Sequence, residues 1–183
     1  MIITLTGVPG AGKSTIAKLL SENLNIPWYS IGDLRGKMAE EKGMTIDEFN
    51  KLGESESFTD NDIDAYQTKL GKKGESIIID GRLSWHFIPQ SFKVFLDVNA
   101  DEAAKRIFQA SQTGLRTDEK PFASAEEVKE RVAYRLASDQ LRYEKYYQVN
   151  YLDRSNFDLV VDTTDLPPEQ VVQRILDAVY ASS

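Results

Sequence analysis

An α/β domain built on a parallel sheet is the fold this sequence predicts, and three observations carry it. Five short apolar runs (1–6, 27–30, 76–79, 92–98 and 158–162) alternate with stretches of helical spacing. The first run leads straight into Gly7-Val8-Pro9-Gly10-Ala11-Gly12-Lys13-Ser14, a strand, glycine loop and helix in succession. No internal repeat, low-complexity segment or linker-like stretch interrupts the 183 residues, so 1–183 reads as one domain.

Ile2, Ile3 and Leu5 make the opening run a buried strand, and Ile16, Leu19, Leu20 and Leu24 give 14–24 one apolar helical face. Pro27-Trp28-Tyr29-Ser30 reads as a short second strand. After Gly32-Asp33 a helix runs through 38–42, and Gly43 breaks it. Thr45-Ile46-Asp47-Glu48 has the T-x-x-E spacing of a capping box, in which hydroxyl and carboxylate satisfy orphaned backbone N–H groups, so a helix follows through Phe49 and Leu52. Thr59 is placed as the N-cap of the next helix, with Ile63, Tyr66 and Leu70 on one face. Ser76-Ile77-Ile78-Ile79 is the clearest buried strand and ends in Asp80-Gly81-Arg82. A fourth strand covers 92–98, and a helix over 101–109 turns Ala103, Ala104 and Ile107 inward. Periodicity fails over 111–123, where Gly, Thr, Asp, Lys and Pro collect, so this stretch is a loop. Ser124-Ala125-Glu126-Glu127 is a second capping box, opening a long helix to about Tyr147. The last strand, 158–162, is followed by Pro167-Pro168 and an amphipathic helix carrying Val171, Val172, Ile175, Leu176 and Val179. In parallel sheets ligands bind beyond the carboxyl ends of the strands, which is where the glycine loop lies.

Hydrophobic residues make up 41% of the chain and charged residues 28%, an ordinary globular balance. A net charge of −7 argues against a nucleic-acid binder with a broad basic surface, and leaves room for a local basic pocket. The absence of cysteine rules out disulfides, thiolate metal sites and thiol nucleophiles, and fits a reducing compartment. No apolar run approaches a membrane span, and no basic segment followed by an apolar one opens the chain. The expectation is a cytoplasmic monomer that binds small molecules, with no nucleic-acid or membrane partner.

The segment 7–14 fits G-x-x-x-x-G-K-[ST], whose glycines let successive backbone N–H groups wrap an anion at a helix N-terminus. Lys13 would reach the β- and γ-phosphates of a nucleotide and the Ser14 hydroxyl would hold Mg²⁺. A GTPase is disfavoured: Asn50-Lys51-Leu52-Gly53 lacks the aspartate of the guanine motif and sits mid-helix, and Asp33-Leu34-Arg35-Gly36 follows the wrong strand for a switch. Arg131, Arg135 and Arg142 share one side of the long helix after the 111–123 loop, with Asp139 between them to pin their guanidinium groups. Phosphoryl transfer needs positioning and charge stabilisation more than covalent chemistry, and a mobile segment carrying arginines supplies both.

Segment 7–14, Tyr29-Ser30-Ile31-Gly32-Asp33, Ile79-Asp80-Gly81-Arg82-Leu83-Ser84, Lys105-Arg106-Ile107, Arg135-x-x-x-Asp139-x-x-Arg142-Tyr143 and Asp158-Leu159-Val160-Val161-Asp162-Thr163 span nearly the whole chain. In this order they resemble nucleoside monophosphate kinases, most closely the compact cytidylate kinases of archaeal type. The resemblance implies a three-layer P-loop kinase fold with a five-stranded parallel sheet, a helical monophosphate-binding segment at about 32–73 and a short lid at about 109–130. ATP would lie on Gly7, Val8, Pro9, Gly10, Ala11, Gly12, Lys13, Ser14 and Thr15, with Arg106 beside the adenine. Asp33, Arg35, Asp62 and Arg82 would bind the monophosphate, with Arg82 on its phosphate. Ser14 would hold Mg²⁺ and Asp80 would support it through water, while Lys13, Arg131, Arg135 and Arg142 clamp the transferring group. The family's arginine three residues after the Gly-Asp pair is displaced, and Arg35 is assigned its role ahead of Lys37. Ala110 stands where a second lid arginine is usual, and Arg116 is its substitute.

The implied reaction is Mg·ATP with CMP or dCMP giving ADP with CDP or dCDP. A kinase for AMP, UMP or a small non-nucleotide alcohol is one alternative, and a regulatory protein that senses ATP is another. A mere binding switch has no need of three lid-side cations. Cytosine offers an N4 amino donor where uracil has a carbonyl, so Asp60, Asp62 and Asp64 in the acceptor segment are candidate readers. His86 reads as packed or solvent-facing rather than catalytic, and Tyr143, Tyr146 and Tyr147 as core at helical spacing.

Overall fold

Alternation along the strands decides the layering. In the computed structural model, which describes residues 1–113 and 122–182, Ile78 packs to one face of the sheet and Ile77 and Ile79 to the other. The strands are β1 (Ile2–Gly7), β2 (Trp28–Ser30), β3 (Ile77–Asp80), β4 (Phe92–Asp97) and β5 (Leu159–Asp162). All pair in parallel, in the order β2-β3-β1-β4-β5. The register sets Leu5 beside Asp80 and Gly7 beside Leu96, so the glycine loop leaves the sheet between the ends of β3 and β4.

Helices α1 (Lys13–Leu24) and α8 (Pro168–Ala181) cover the first face, where Ile16, Leu20, Val171 and Ile175 meet Ile3, Leu5, Val94 and Leu96. Helices α2 (Ile31–Glu41), α3 (Ile46–Gly53) and α4 (Phe58–Lys72) follow β2, and a single turn, α5 (Ser84–Phe87), follows β3. Ile31, Ile63, Leu70 and Ile88 from these segments bury Ile77 and Ile79 on the second face. Helices α6 (Ala100–Gln112) and α7 (Ala125–Tyr147) pack through Ala104, Ile107 and Val128. The predicted five-stranded parallel sheet between helical layers is what the chain adopts.

The Thr45 capping box is complete: its hydroxyl accepts from Glu48 N–H at 3.2 Å, and the Glu48 carboxylate accepts from Thr45 N–H at 2.8 Å. At Ser124 only the hydroxyl half forms, because Glu127 accepts from the N–H of Ala123 instead. Thr59 is not an N-cap. Helix α4 begins one residue earlier at Phe58, and Thr59 is fully buried with its hydroxyl donating to Glu56 O at 3.1 Å. Tyr66 is 37% exposed, and Gln67 takes the inner position between Ile63 and Leu70. The buried polar residues Asp60 and Gln67 broke the apolar periodicity that would have set this face. The turn at 84–87 and a 3₁₀ turn at Arg154–Asn156 carry too few residues for a pattern.

Candidate active site

Close approach decides the glycines of the loop. A Cβ on Gly7 would lie 2.1 Å from the Leu96 carbonyl oxygen, and one on Gly10 would lie 2.9 Å from the Ala103 side chain. Gly10 and Gly12 both take φ of 85°, and Gly12 caps α1. The loop is therefore held between β4 and α6, with Val8 N–H donating to Leu96 O at 3.3 Å. Lys13 lies over it, its Nζ donating to the carbonyls of Gly7 (3.0 Å) and Val8 (3.1 Å). Ser14 donates from Oγ to Asp80 Oδ2 at 2.8 Å, and Thr15 is exposed on α1. Burial raises the Asp80 carboxyl above the usual carboxylate range, against the pull of Lys13 and the Ser14 hydrogen bond.

A hydroxyl and a carboxylate are the oxygen donors that Mg²⁺ takes, so this pair fits that ion. Among the described residues no three His, Asp or Glu side chains converge, so the remaining ligands would be phosphate oxygens and water. Arg106 bridges the far side of the loop. It pairs with Glu102 at 3.0 Å, donates to the carbonyls of Thr163 (2.8 Å) and Thr164 (2.9 Å), and reaches Gly10 O at 3.5 Å.

Across β3 from this site lies a buried ionic chain. Arg35 on α2 donates to Asn50 Oδ1 at 2.7 Å and to Asp60 Oδ1 at 2.8 Å, with its guanidinium 4.9 Å from the Phe49 ring. Arg142, with 1% of its side chain exposed, pairs with Asp60 at 3.4 Å and with Asp139 at 3.1 Å, and also donates to the Tyr143 hydroxyl. Arg82, at the end of β3, pairs with the other oxygen of Asp139 at 2.9 Å. Burial, and then the neighbouring Arg142, lower the proton affinity of Arg35 against the pull of Asp60. Two carboxylates thus hold three guanidinium groups in register.

The three helix arginines do not form one row. Arg131 is 40% exposed and ion-paired with Asp47 on α3. Arg131 and Arg135 line a cleft with Pro9 of the loop, Phe122 and Val132. Arg142, two turns further on, is inside the ionic chain. Asp33 is exposed at the first turn of α2, its N–H bonded to Ser30 Oγ at 3.1 Å.

Asp62 corrects an expectation. It is exposed, because residues two apart on a helix face opposite ways, and Asp60 and Asp64 occupy the inner side. Arg116 lies outside the described residues, as does the middle of the expected lid. Sequence reasoning gave Asn50, Gln67 and Tyr147 no role in the site; a buried Asn and Gln on otherwise amphipathic helices were the available signal. His86 is exposed and meets the rings of Trp85 and Phe87 edge-on, and its partial burial lowers its pKa.

A glycine loop closing a parallel sheet, with a Ser–Asp pair on one side of β3 and an arginine chain on the other, defines a P-loop kinase. Solved structures agree on the fold. Shikimate kinase from Bacteroides thetaiotaomicron superimposes with a TM-score of 0.66 over 98% of each chain at 18% identity. Shikimate kinase from Aquifex aeolicus reaches 0.55 over 100% of this chain and 98% of that one, at 22% identity. Residues 2–165 match the cytidylate kinase-like family, and the chain belongs to that family. It is an enzyme of the nucleoside monophosphate kinase type. The cytidylate kinase of Methanobrevibacter smithii is 36% identical over 96% of both chains. That of Halobacterium salinarum is 32% identical over 99% of this chain and 90% of its own. An S-adenosylmethionine-dependent nucleotide dehydratase of Lacinutrix mariniflava is 36% identical over 96% of this chain, which spans 35% of that protein. Among the described residues no helix is long and apolar enough to cross a membrane.

Proposed function

We propose that the chain transfers the γ-phosphoryl group of ATP to CMP or dCMP, releasing ADP and CDP or dCDP. The observation that carries this reading is at the end of β3. Asp80 faces the glycine loop through Ser14, and Arg82, two residues later, faces α7 through Asp139. One strand end thus serves a donor site and an acceptor site back to back, which is what an in-line transfer needs. The cytidylate kinase names of several relatives favour a cytosine acceptor.

Ser14 and Asp80 would hold Mg²⁺, which when bound would supply positive charge to offset that of the phosphates. Lys13 exchanges its two carbonyl contacts for phosphate oxygens as ATP enters. Gly10, Ala11 and Gly12 supply backbone N–H donors, Gly7, Val8 and Pro9 carry the turn beside them, and Thr15 and Arg106 stand at the edges of the ATP site. Arg82 and Arg35 orient the acceptor phosphate, and Arg142 holds both through Asp139 and Asp60. The nucleophile is a phosphate oxygen already ionised at neutral pH, so no general base is required. Arg131 and Arg135, beside Pro9, stabilise the charge that spreads over the transferring group. Segment 32–73 is the acceptor-binding segment and 109–130 the lid. The net charge of −7 supports a protein that works as a cytoplasmic monomer on nucleotides, away from nucleic acid and membrane.

The test is ADP production from Mg·ATP with CMP, dCMP, UMP, AMP, GMP and shikimate in turn. Strong stimulation by CMP or dCMP supports the reading. Stimulation by AMP, UMP or shikimate alone moves the enzyme to another acceptor, and no stimulation by any of them refutes it.

A further inference from the structure

The cytosine reading leaves open which side chain reads the base, and the inner face of α4 carries an answer. Asp60 is consumed by Arg35 and Arg142, and Asp62 faces solvent. Asp64 lies one turn beyond Asp60 on the same face. Its Oδ2 accepts the Tyr147 hydroxyl, while Oδ1 has no hydrogen-bond donor among the described residues. Three residues on, the buried Gln67 accepts from Ser84 Oγ at 2.7 Å through Oε1, which turns its amide N–H₂ away from Ser84. Ser84 follows Arg82 by two residues, so this pair lies next to the expected acceptor phosphate.

We infer that Asp64 Oδ1 accepts the N4 amino group of the acceptor cytosine, with Tyr147 as the residue that positions it and Gln67 donating to the ring acceptors alongside. This rests on the pyrimidine monophosphate reading above. Cytosine presents a donor at N4 beside an acceptor at N3, matching a carboxylate oxygen beside an amide N–H₂. Uracil presents the reverse, a carbonyl toward Asp64 and an N–H toward the Gln67 amide, so both contacts are lost together. A site built to pair a polar group rejects the analogue that leaves it unpaired far more strongly than an apolar pocket does.

The experiment compares kcat/KM for CMP and for UMP at saturating Mg·ATP in the wild type, Asp64→Asn, Tyr147→Phe and Asp62→Asn. In Asp64→Asn the Tyr147 hydroxyl takes the amide oxygen and leaves an N–H₂ toward the base, matched to uracil. The CMP-to-UMP ratio should fall about 10- to 100-fold, the discrimination that a well-placed base contact carries. Tyr147→Phe should raise KM for CMP and lower the ratio by a smaller factor with kcat retained, and Asp62→Asn should leave it unchanged. A ratio within about twofold of wild type in Asp64→Asn overturns the assignment. If that variant fails to fold by circular dichroism, an unchanged ratio in Tyr147→Phe overturns it instead. A wild type that prefers no cytosine nucleotide fails the functional reading itself and takes this one with it, whereas a CMP-selective wild type with insensitive variants fails this one alone.

Discussion

Replacing Asp139 by Asn removes one charge from the middle of the ionic chain at nearly constant volume. Asp139 has 1% of its side chain exposed and meets Arg82 at 2.9 Å and Arg142 at 3.1 Å. Without it, Asp60 alone faces Arg35 and Arg142, and Arg82 loses its carboxylate. Breaking a buried pair by removing one partner costs about 3–5 kcal/mol, and the carboxamide keeps one acceptor oxygen, so about 3 kcal/mol is expected. At roughly 2–4 °C per kcal/mol for a chain of this size, Tm should drop by about 6–12 °C. Thermal melts followed by circular dichroism at neutral pH, in about 0.1 M and about 0.5 M salt, measure it. A pair out of reach of counter-ions keeps its value at the higher salt. A drop under about 2 °C, or a gap that closes with salt, would refute the assignment of Asp139 as the buried centre of the chain.

Two further outcomes are expected. Arg131→Ala and Arg135→Ala should each lower kcat by about two to three orders of magnitude, as loss of a transition-state donor does; near-normal turnover in both sinks the clamp. Asp64 gives stability a pH dependence. Burial pushes its carboxyl up to about 6, partly offset by the Tyr147 hydrogen bond, so the folded chain binds more protons there than the unfolded chain does. Its contribution is most favourable below about pH 4 and is lost as pH rises through about 6. The Tm of Asp64→Asn minus that of the wild type should therefore grow between about pH 4.5 and 7.5, by an amount equivalent to ~1–2 kcal/mol after allowance for partial exposure. A flat difference excludes the shift.

The strands and the first capping box were legible because each is local. Ile77, Ile78 and Ile79 announce a strand covered on both faces, and Thr45 and Glu48 need only each other. The buried ionic chain was legible in residue types and not in assignments. Moving the start of α4 by one residue makes no difference to its existence, yet which of Asp60, Asp62 and Asp64 turns inward depends on packing against α2 and α7. Arg142 shows the other limit. Asp139, three residues away on the same helix, was legible as a partner, but Asn50 lies 92 residues away, and no periodicity relates it to Arg142. Helical spacing suggested a cationic row, and tertiary pairing instead sorted the arginines into one tied to α3, one beside the loop and one buried.

The central place of β1 in the sheet has a consequence for how the enzyme comes into being. Its neighbours are β3 and β4, whose residues pair with it from some 75 and 89 positions away: Ile2 with Ile77 and Ile3 with Phe92. The glycine loop is made before β4 and β5, yet the carbonyl of Leu96 that fixes Gly7 and Val8, and the Thr163 hydroxyl near Ala11 O, belong to those later strands and their ends. Long-range pairing of this kind is slow, because chain closure precedes any gain in contacts. A growing chain that ends before β4 holds the whole phosphate-binding motif as sequence but lacks the Leu96 carbonyl against which Gly7 and Val8 pack, so the loop gains its full set of contacts only once β4 has joined the sheet.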